Sequence, residues 1–345
     1  MSNSITIAID AMGSDKGPDE IISGTALSKE RHPETKYIFF GDSRLIKNAL
    51  RKYSFLNQCS EIVSTEAVVS PDDKPSQVLR NIKNTSMGSS IDWLKHKKVD
   101  ALVSAGNTGA LMALSKFKLR TMSGISRPAI ATTLPHASGE FVMLDLGANI
   151  ECDSENLVQF AIMGTEFAKI ILAKEKPKVG ILNVGTEQEK GKTSLQEASD
   201  YLKGSYLASQ FSGFVEGSTI TNGTVDVVVT DGFTGNVALK TAEGIAQLCT
   251  FYIKNVFSEG ILGKLSYFLI RNSFGLLKTK LDPRTRNGAL FLGLNGIVVK
   301  SHGGADALSF ASAIDIAIDF SKEGVGEKII KSLENLKTSR EGNID

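Results

Sequence analysis

Short apolar runs, rich in β-branched residues and bounded by polar, Gly-bearing turns, recur along the chain at residues 5–9, 36–40, 101–103, 129–133, 141–144, 178–183, 225–229 and 296–300. Stretches with helical spacing lie between most of them. Strands alternating with helices predict a three-layer α/β/α fold around a mostly parallel sheet. Within one run, Val227-Val228-Val229, there is no alternation of apolar and polar positions. Such a strand is expected to be covered on both faces. One α/β domain is expected over residues 1–345, with an apolar and basic helical excursion at about 245–286.

The turns at the ends of these runs carry the candidate chemistry. After Val229 comes Thr230-Asp231-Gly232-Phe233-Thr234-Gly235-Asn236, and after Val103 comes Ser104-Ala105-Gly106-Asn107-Thr108-Gly109. Aligned on Thr230 and Ser104, both read Ser/Thr-x-Gly-x-Thr-Gly. A buried strand that turns through glycine into a helix leaves free N–H groups and the positive end of the helix dipole at the strand's carboxyl end, where an anion is stabilised. Similar turns come after other strands: Asp10 to Asp15 with Gly13, Asp145 to Asn149, and Gly185-Thr186-Glu187. All are expected to gather along one rim of the sheet, the usual ligand edge of open α/β folds. Lys190 and His302 sit beside that expected rim, the latter just after the run at 296–300.

Composition narrows the chemistry. A formal net charge of +1 with 22% charged residues gives no global field for nucleic acid. Cys59, Cys152 and Cys249 are far apart, which fits neither a disulfide framework nor a zinc site and suits a reducing cytosol. Neither a signal peptide nor an 18-residue apolar span is found. The segment Gly185 to Thr193 resembles a nucleotide-binding loop, but five residues separate its glycines where four are needed to curl round a phosphate. No G-x-G-x-x-G follows a strand, and no G-x-S-x-G, HExxH or carboxylate cluster is present. Neither a metal nor an organic cofactor is called for.

One segment breaks the alternation. Residues 245–257 and 261–281 are apolar almost throughout, and the second piece carries Lys264, Arg271 and Lys278 seven residues apart with no acidic residue. On a helix these cations form one narrow stripe. Two uses fit, insertion beside anionic lipid through Leu265 and Phe268, or burial against a second subunit.

Taken in order, several of these stretches resemble the phosphate acyltransferases of bacterial phospholipid synthesis, which form acyl phosphate from acyl-acyl carrier protein and inorganic phosphate. The likeness runs through Ile9 to Asp15, Ser104 to Ala110, Arg127-Pro128-Ala129, Leu144 to Asn149, Asn183 to Glu187, Asp231 to Asn236 and His302-Gly303. It implies a fold similar to phosphotransacetylases and to isocitrate and isopropylmalate dehydrogenases. It also implies a homodimer, peripheral attachment to the inner face of the cell membrane, and a glycerol-3-phosphate acyltransferase as a downstream partner. Lys74, Arg80 and Lys83 look like the family's basic segment for gripping the carrier protein, although Ile82 stands where a second basic residue is expected.

Phosphate is already an anionic nucleophile, so such an enzyme acts chiefly by positioning, and the missing nucleophile motif is expected. Asn107, Thr108, Gly109 and Asn236 are expected to form a polar cradle, with Asp10, Gly13, Ser104, Asn149, Thr234 and Gly235 completing the phosphate and substrate contacts. Lys190 is expected to balance the phosphate charge, Asp231 to orient Lys190 or Asn236, and His302 to assist departure of the thiolate. Competing readings are a phosphotransacetylase that uses coenzyme A, a dehydrogenase of the related fold, and a non-catalytic scaffold at the lipid surface.

Overall fold

The computed structural model describes residues 4–80, 84–258 and 287–341. The strands are β1 (Thr6–Asp10), β2 (Lys36–Gly41), β3 (Ser60–Ser64), β4 (Ala101–Ser104), β5 (Ala129–His136), β6 (Gly139–Leu144), β7 (Val179–Asn183), β8 (Phe211–Glu216), β9 (Val227–Val229), β10 (Ala289–Leu292) and β11 (Ile297–Lys300). They form one sheet in the order β3-β2-β1-β4-β11-β10-β5-β6-β9-β7-β8. The helices are α1 (Pro18–Arg31), α2 (Ser43–Leu50), α3 (Pro75–Val78), α4 (Ser86–Lys95), α5 (Thr108–Leu119), α6 (Ser154–Ile171), α7 (Thr193–Lys203), α8 (Gly232–Ser258), α9 (Ala307–Glu323) and α10 (Val325–Glu341).

Side chains alternate across the pleat and so feed two separate cores. Ile7, Ile9, Tyr37, Phe39, Val103, Val227 and Val229 pack on one face with residues of α1, α6 and α9. Ala8, Ile38, Phe40, Leu102, Val228 and Val298 pack on the other with α4, α5 and part of α8. The expected three layers result from this, and the unbroken valine run of β9 is explained because both of its faces are covered.

Every expected strand is present, with ends shifted by one to three residues. Three further strands were not anticipated. β3 and β8 are the two edges of the sheet, and their sequences are half polar; β8 also carries Gly213 at φ 81°. β10 is a four-residue apolar run that periodicity cannot separate from its surroundings.

The direction of the strands changes the larger picture. β3, β2, β1, β4 and β11 run parallel to one another, as do β6, β9, β7 and β8. Between the two groups, β11 with β10, β10 with β5 and β5 with β6 are all antiparallel. Three reversals turn the second group upside down relative to the first, so the carboxyl ends of the two groups lie at opposite edges. The polar turns therefore do not share one rim. β4 and β9, whose turns match in sequence, are separated by four strands and point in opposite directions.

Helix α6 settles unusually close to the sheet at Gly164, where a Cβ would come within 2.7 Å of Val227 and 2.8 Å of Leu144. Overpacking of a filled core typically costs about 1–3 kcal/mol. Gly164→Val should lose stability in that range in urea unfolding; an unchanged midpoint would show that the contact can relax.

Candidate functional site

At the first edge the turns after β1, β4 and β11 meet. Asp10 ends β1 fully buried, and its Oδ2 accepts from Ser104 Oγ at 2.7 Å. Ser104 Oγ in turn accepts from Gly106 N at 3.1 Å, so the two residues fix the turn and do not face solvent. Burial pushes the Asp10 carboxyl above its usual range, against the opposing hydrogen bonds of Ser104 and Ser86. Gly13 is required by close approach, since a Cβ there would stand 2.5 Å from Gly106 N.

Asn107 caps α5 through its Oδ1, which accepts from Ala110 N at 3.0 Å. Its Nδ2 donates to Pro71 O at 2.7 Å and Asp73 O at 3.2 Å. The expected cradle amide is thus committed to holding the loop that leads into Lys74. Thr108 and Gly109 are exposed on the first turn of α5. His302 is exposed, with Gly304 N donating to its Nδ1 at 3.2 Å.

Lys300, at the end of β11, is the charged residue at this edge that sequence reasoning passed over. Its Nζ donates to Ala105 O at 3.2 Å and to Ser301 O. Burial pushes its pKa down to about 8; Asp15 and Asp10 pull it up, and Lys240 on α8 adds to the lowering.

At the opposite edge the turns after β6, β9 and β7 meet. Asp145 is fully buried and accepts from Ile130 N at 2.9 Å, Ala148 N at 3.0 Å, Asn149 N at 2.7 Å and Asn149 Nδ2 at 2.9 Å. Burial raises its pKa against the effect of these donors. Asn149 gives its remaining donor to Pro128 O at 2.7 Å, so it braces the loop and does not reach outward. Gly232 N donates to Asn149 O at 2.7 Å, which ties this loop to the start of α8. Asp231 caps the helix, its Oδ1 accepting from Thr234 N at 2.7 Å. A carboxylate therefore already occupies part of the N-terminus that was expected to receive an anion.

Asn236 is exposed and lies over Gly147, and among the described residues its amide has no hydrogen-bond partner. Lys190 pairs with Glu187 at 2.7 Å. Asp231 orients neither Lys190 nor Asn236 by direct contact; its ion-pair partner is Lys192, at 3.4 Å. The loop carrying both lysines is pinned to β7 by Asn183 Nδ2, which donates to Lys190 O at 3.0 Å. Arg127 adds a third cation, bonding Glu151 O at 3.1 Å. Burial, with Asp145 and Asp231 nearby, pushes the Cys152 thiol up to about 12, which disfavours its thiolate form.

Of the expected site residues, Lys190, Asp231, Thr234, Gly235, Asn236 and Asn149 come together at this second edge, and Asp10, Gly13, Ser104, Asn107, Thr108, Gly109 and His302 at the first. Helix α8 joins the edges: it starts beside Asn149 and brings Lys240, two turns on, near Lys300. Lys74 and Arg80 belong to the first edge's flank through the loop Asn107 holds and α3; Lys83, Lys264, Leu265, Phe268, Arg271 and Lys278 lie outside the described residues. Among the described residues there is no group of three or more His, Cys, Asp or Glu side chains that could hold a metal, and no helix is long and apolar enough to cross a membrane.

A model of the family described as fatty acid synthesis protein matches residues 5–328. The chain belongs to that family. It is 50% identical to a phosphate acyltransferase of Rhodospirillum centenum over 99% of this chain and 96% of that one, and 49% identical to one of Rhodospirillum rubrum over 95% and 94%. Its fold is similar to that of a phosphotransacetylase from Streptococcus pyogenes, with a TM-score of 0.62 at 18% identity over 94% of this chain and 95% of that chain. The EutD phosphotransacetylase from Staphylococcus aureus gives 0.56 at 14% identity over 91% and 94%.

Lys300 and Lys192 are the cations at these two edges that the sequence reading did not include. Lys300 stood in plain view before His302, but its burial depends on β11 lying inside the sheet, which no local pattern reveals. Lys192 differs from Lys190 only in where the loop points.

Gly235 offers a direct test of how α8 is seated. A Cβ there would fall 1.9 Å from Asp145 O, whereas at Gly244 on the same helix it meets nothing within 4 Å. Gly235→Ala should lower the melting temperature clearly, and Gly244→Ala should hold or raise it, as alanine gains roughly 1 kcal/mol over glycine within a helix. Equal shifts in the two variants would refute the seating.

Proposed function

We propose that this protein transfers a fatty acyl group from acyl-acyl carrier protein to inorganic phosphate, releasing an acyl phosphate for phospholipid synthesis. The observation that carries the reading is the second edge: an amide without an internal partner, Asn236, beside the cationic loop of Lys190 and Lys192, with no activated nucleophile among the described residues there. The relatives named phosphate acyltransferase along nearly the whole chain support the same reaction.

The chemistry asks little of the protein beyond placement. Phosphate held by Lys190 and Lys192 attacks the thioester carbonyl, and negative charge grows on the carbonyl oxygen. Asn236 Nδ2 is the donor that meets this charge, an interaction whose removal costs on the order of 10²–10³ in rate. Asp231 holds Lys192 in place and caps α8, while Asp145 and Asn149 fix the loop under Asn236.

Two finer features belong to this proposal. Lys74 and Arg80 beside the first edge suit an acidic carrier protein. Along α8, Ile245, Leu248, Tyr252 and Val256 are all exposed and fall at helix-packing spacing, which suits a second copy of the chain. The homodimer would work at the inner face of the cell membrane, with the apolar-basic residues 261–281 towards anionic lipid and the glycerol-3-phosphate acyltransferase as consumer of the product.

Incubation with acyl-acyl carrier protein and radiolabelled phosphate should yield a product cleaved by hydroxylamine, faster than with acyl-coenzyme A. Asn236→Ala should lower kcat by about 10²–10³-fold, and Lys192→Met should raise the KM for phosphate; normal kinetics in both would remove the second edge from the site. Leu248→Glu with Tyr252→Glu should shift the mass in sedimentation to that of a monomer, and an unchanged mass would dismiss α8 as the dimer contact.

A further inference from the structure

Apolar residues scattered singly over a surface need no explanation. At the second edge they are gathered. Ile150 follows Asn149 in the turn after β6 and is 76% exposed, Val184 opens the turn after β7 and is 80% exposed, and Phe233 and Val237 stand in the first two turns of α8 at 63% and 50%. These turns leave neighbouring strands, since β9 pairs with β6 on one side and with β7 on the other. They are also tied together. Gly232 N donates to Asn149 O at 2.7 Å, which joins the residues just before Phe233 and Ile150, and the loop that Val184 opens reaches back to Asp231 through Lys192. Turns favour Gly, Pro, Asn, Asp and Ser, so bulky apolar side chains held out to water there work against the local chemistry. Among the described residues, the turns after β1, β4 and β11 at the other edge carry no exposed large apolar side chain.

Asn236 lies among them. On α8 it comes three residues after Phe233 and directly before Val237, so Phe233 neighbours both of them one turn back. It also lies over Gly147, in the same turn as Ile150. We propose that Ile150, Val184, Phe233 and Val237 form an apolar shelf around Asn236 that binds the hydrocarbon chain of the acyl donor. The inference rests on the acyl-phosphate reading and deepens it by naming the surface that recognises the chain. In that reading the Asn236 amide meets the carbonyl oxygen. The chain starts at the same carbonyl carbon, so the surface that takes it out of water must begin within a bond or two of Asn236. Phosphate is left to Lys190 and Lys192, which carry the charge it needs.

A methylene withdrawn fully from water gains roughly fourfold in affinity, and one laid on an open shelf with half its surface covered gains about twofold. Selection on such a surface builds up with chain length and depends on no hydrogen bond. The competing occupant is a second copy of this chain, because Phe233 and Val237 fall on the stripe of α8 that continues to Ile245 and Leu248. Two observations favour the acyl chain. Ile150 and Val184 belong to other turns than α8, and the stripe is interrupted between Val237 and Ile245 by Lys240, Thr241 and Gly244.

The test measures kcat/KM for palmitoyl and butyryl thioesters of acyl carrier protein in wild type, Phe233→Ser, Ile150→Ser and Val184→Ser, each first shown to keep its fold by circular dichroism. Wild type should prefer the palmitoyl donor. Each substitution should lower the palmitoyl-to-butyryl ratio, Phe233→Ser by about tenfold, and Phe233→Leu should restore most of it. Phe117→Ser, at an exposed aromatic on α5, should leave the ratio where it is. An unchanged ratio in Phe233→Ser would overturn the proposal, and a fall to the monomer mass in sedimentation of the same variant would give the patch to a second copy. Product from both donors at equal kcat/KM in wild type would remove the shelf and leave the acyl-phosphate reading standing. If wild type makes no hydroxylamine-sensitive product from either donor, that reading falls and the shelf falls with it.

Discussion

Three antiparallel pairings in the middle of the sheet, β11 with β10, β10 with β5 and β5 with β6, decide where every polar turn of this chain ends up. A parallel sheet delivers all of its strand-to-helix turns to one edge, because each crossover helix returns the chain to the same starting side. Here five parallel strands deliver theirs to one edge and four deliver theirs to the other. The chain thereby acquires two polar edges, each with a buried aspartate at its centre, Asp10 in one and Asp145 in the other. Both carboxylates are desolvated, and both survive burial because backbone or hydroxyl donors meet them.

The two aspartates differ in what they organise. Asp10 is bonded to a hydroxyl, Ser104, that in turn orders a turn of β4, and its field helps to keep Lys300 charged. Asp145 is surrounded by N–H donors and shapes the loop on which Asn236 rests. The first arrangement bears on proton affinity, the second on position. Helix α8 runs between the two edges, its first turn seated on Asn149 and its third carrying Lys240 towards Lys300.

Much of this was legible in the residues. The apolar runs located all the covered strands except β10, and the valines of β9 announced burial on both faces. The glycine turns marked where α5 and α8 begin, but Asn107 and Asp231, expected as site residues, prove to be the caps of those helices. Local pattern failed where the answer depended on partners distant in sequence. The matching turns after β4 and β9 were assigned to one pocket because their sequences agree, but agreement of turns carries no information on strand direction. That direction is fixed by β10, four residues with no distinguishing period. In the same way Lys190 and Lys192 are equivalent in sequence, and only the fold decides that Lys190 pairs with Glu187 and Lys192 with Asp231.

The caps also close the backbone anion sites that the sequence pattern promised at the second edge. An uncapped helix start offers free N–H groups to an anion. In α8 the carboxylate of Asp231 takes the N–H of Thr234, and its charge lies where a phosphate would otherwise be drawn by the dipole. Two like charges at one helix start repel, so the first turn of α8 does not favour a second anion. Lys192 neutralises Asp231, and Asn236, one turn into the helix, projects beyond the cap with its amide unclaimed. The cap of α8 and its ion pair with Lys192 are thus one arrangement, in which the carboxylate that closes the helix start is also the group that holds the lysine beside it.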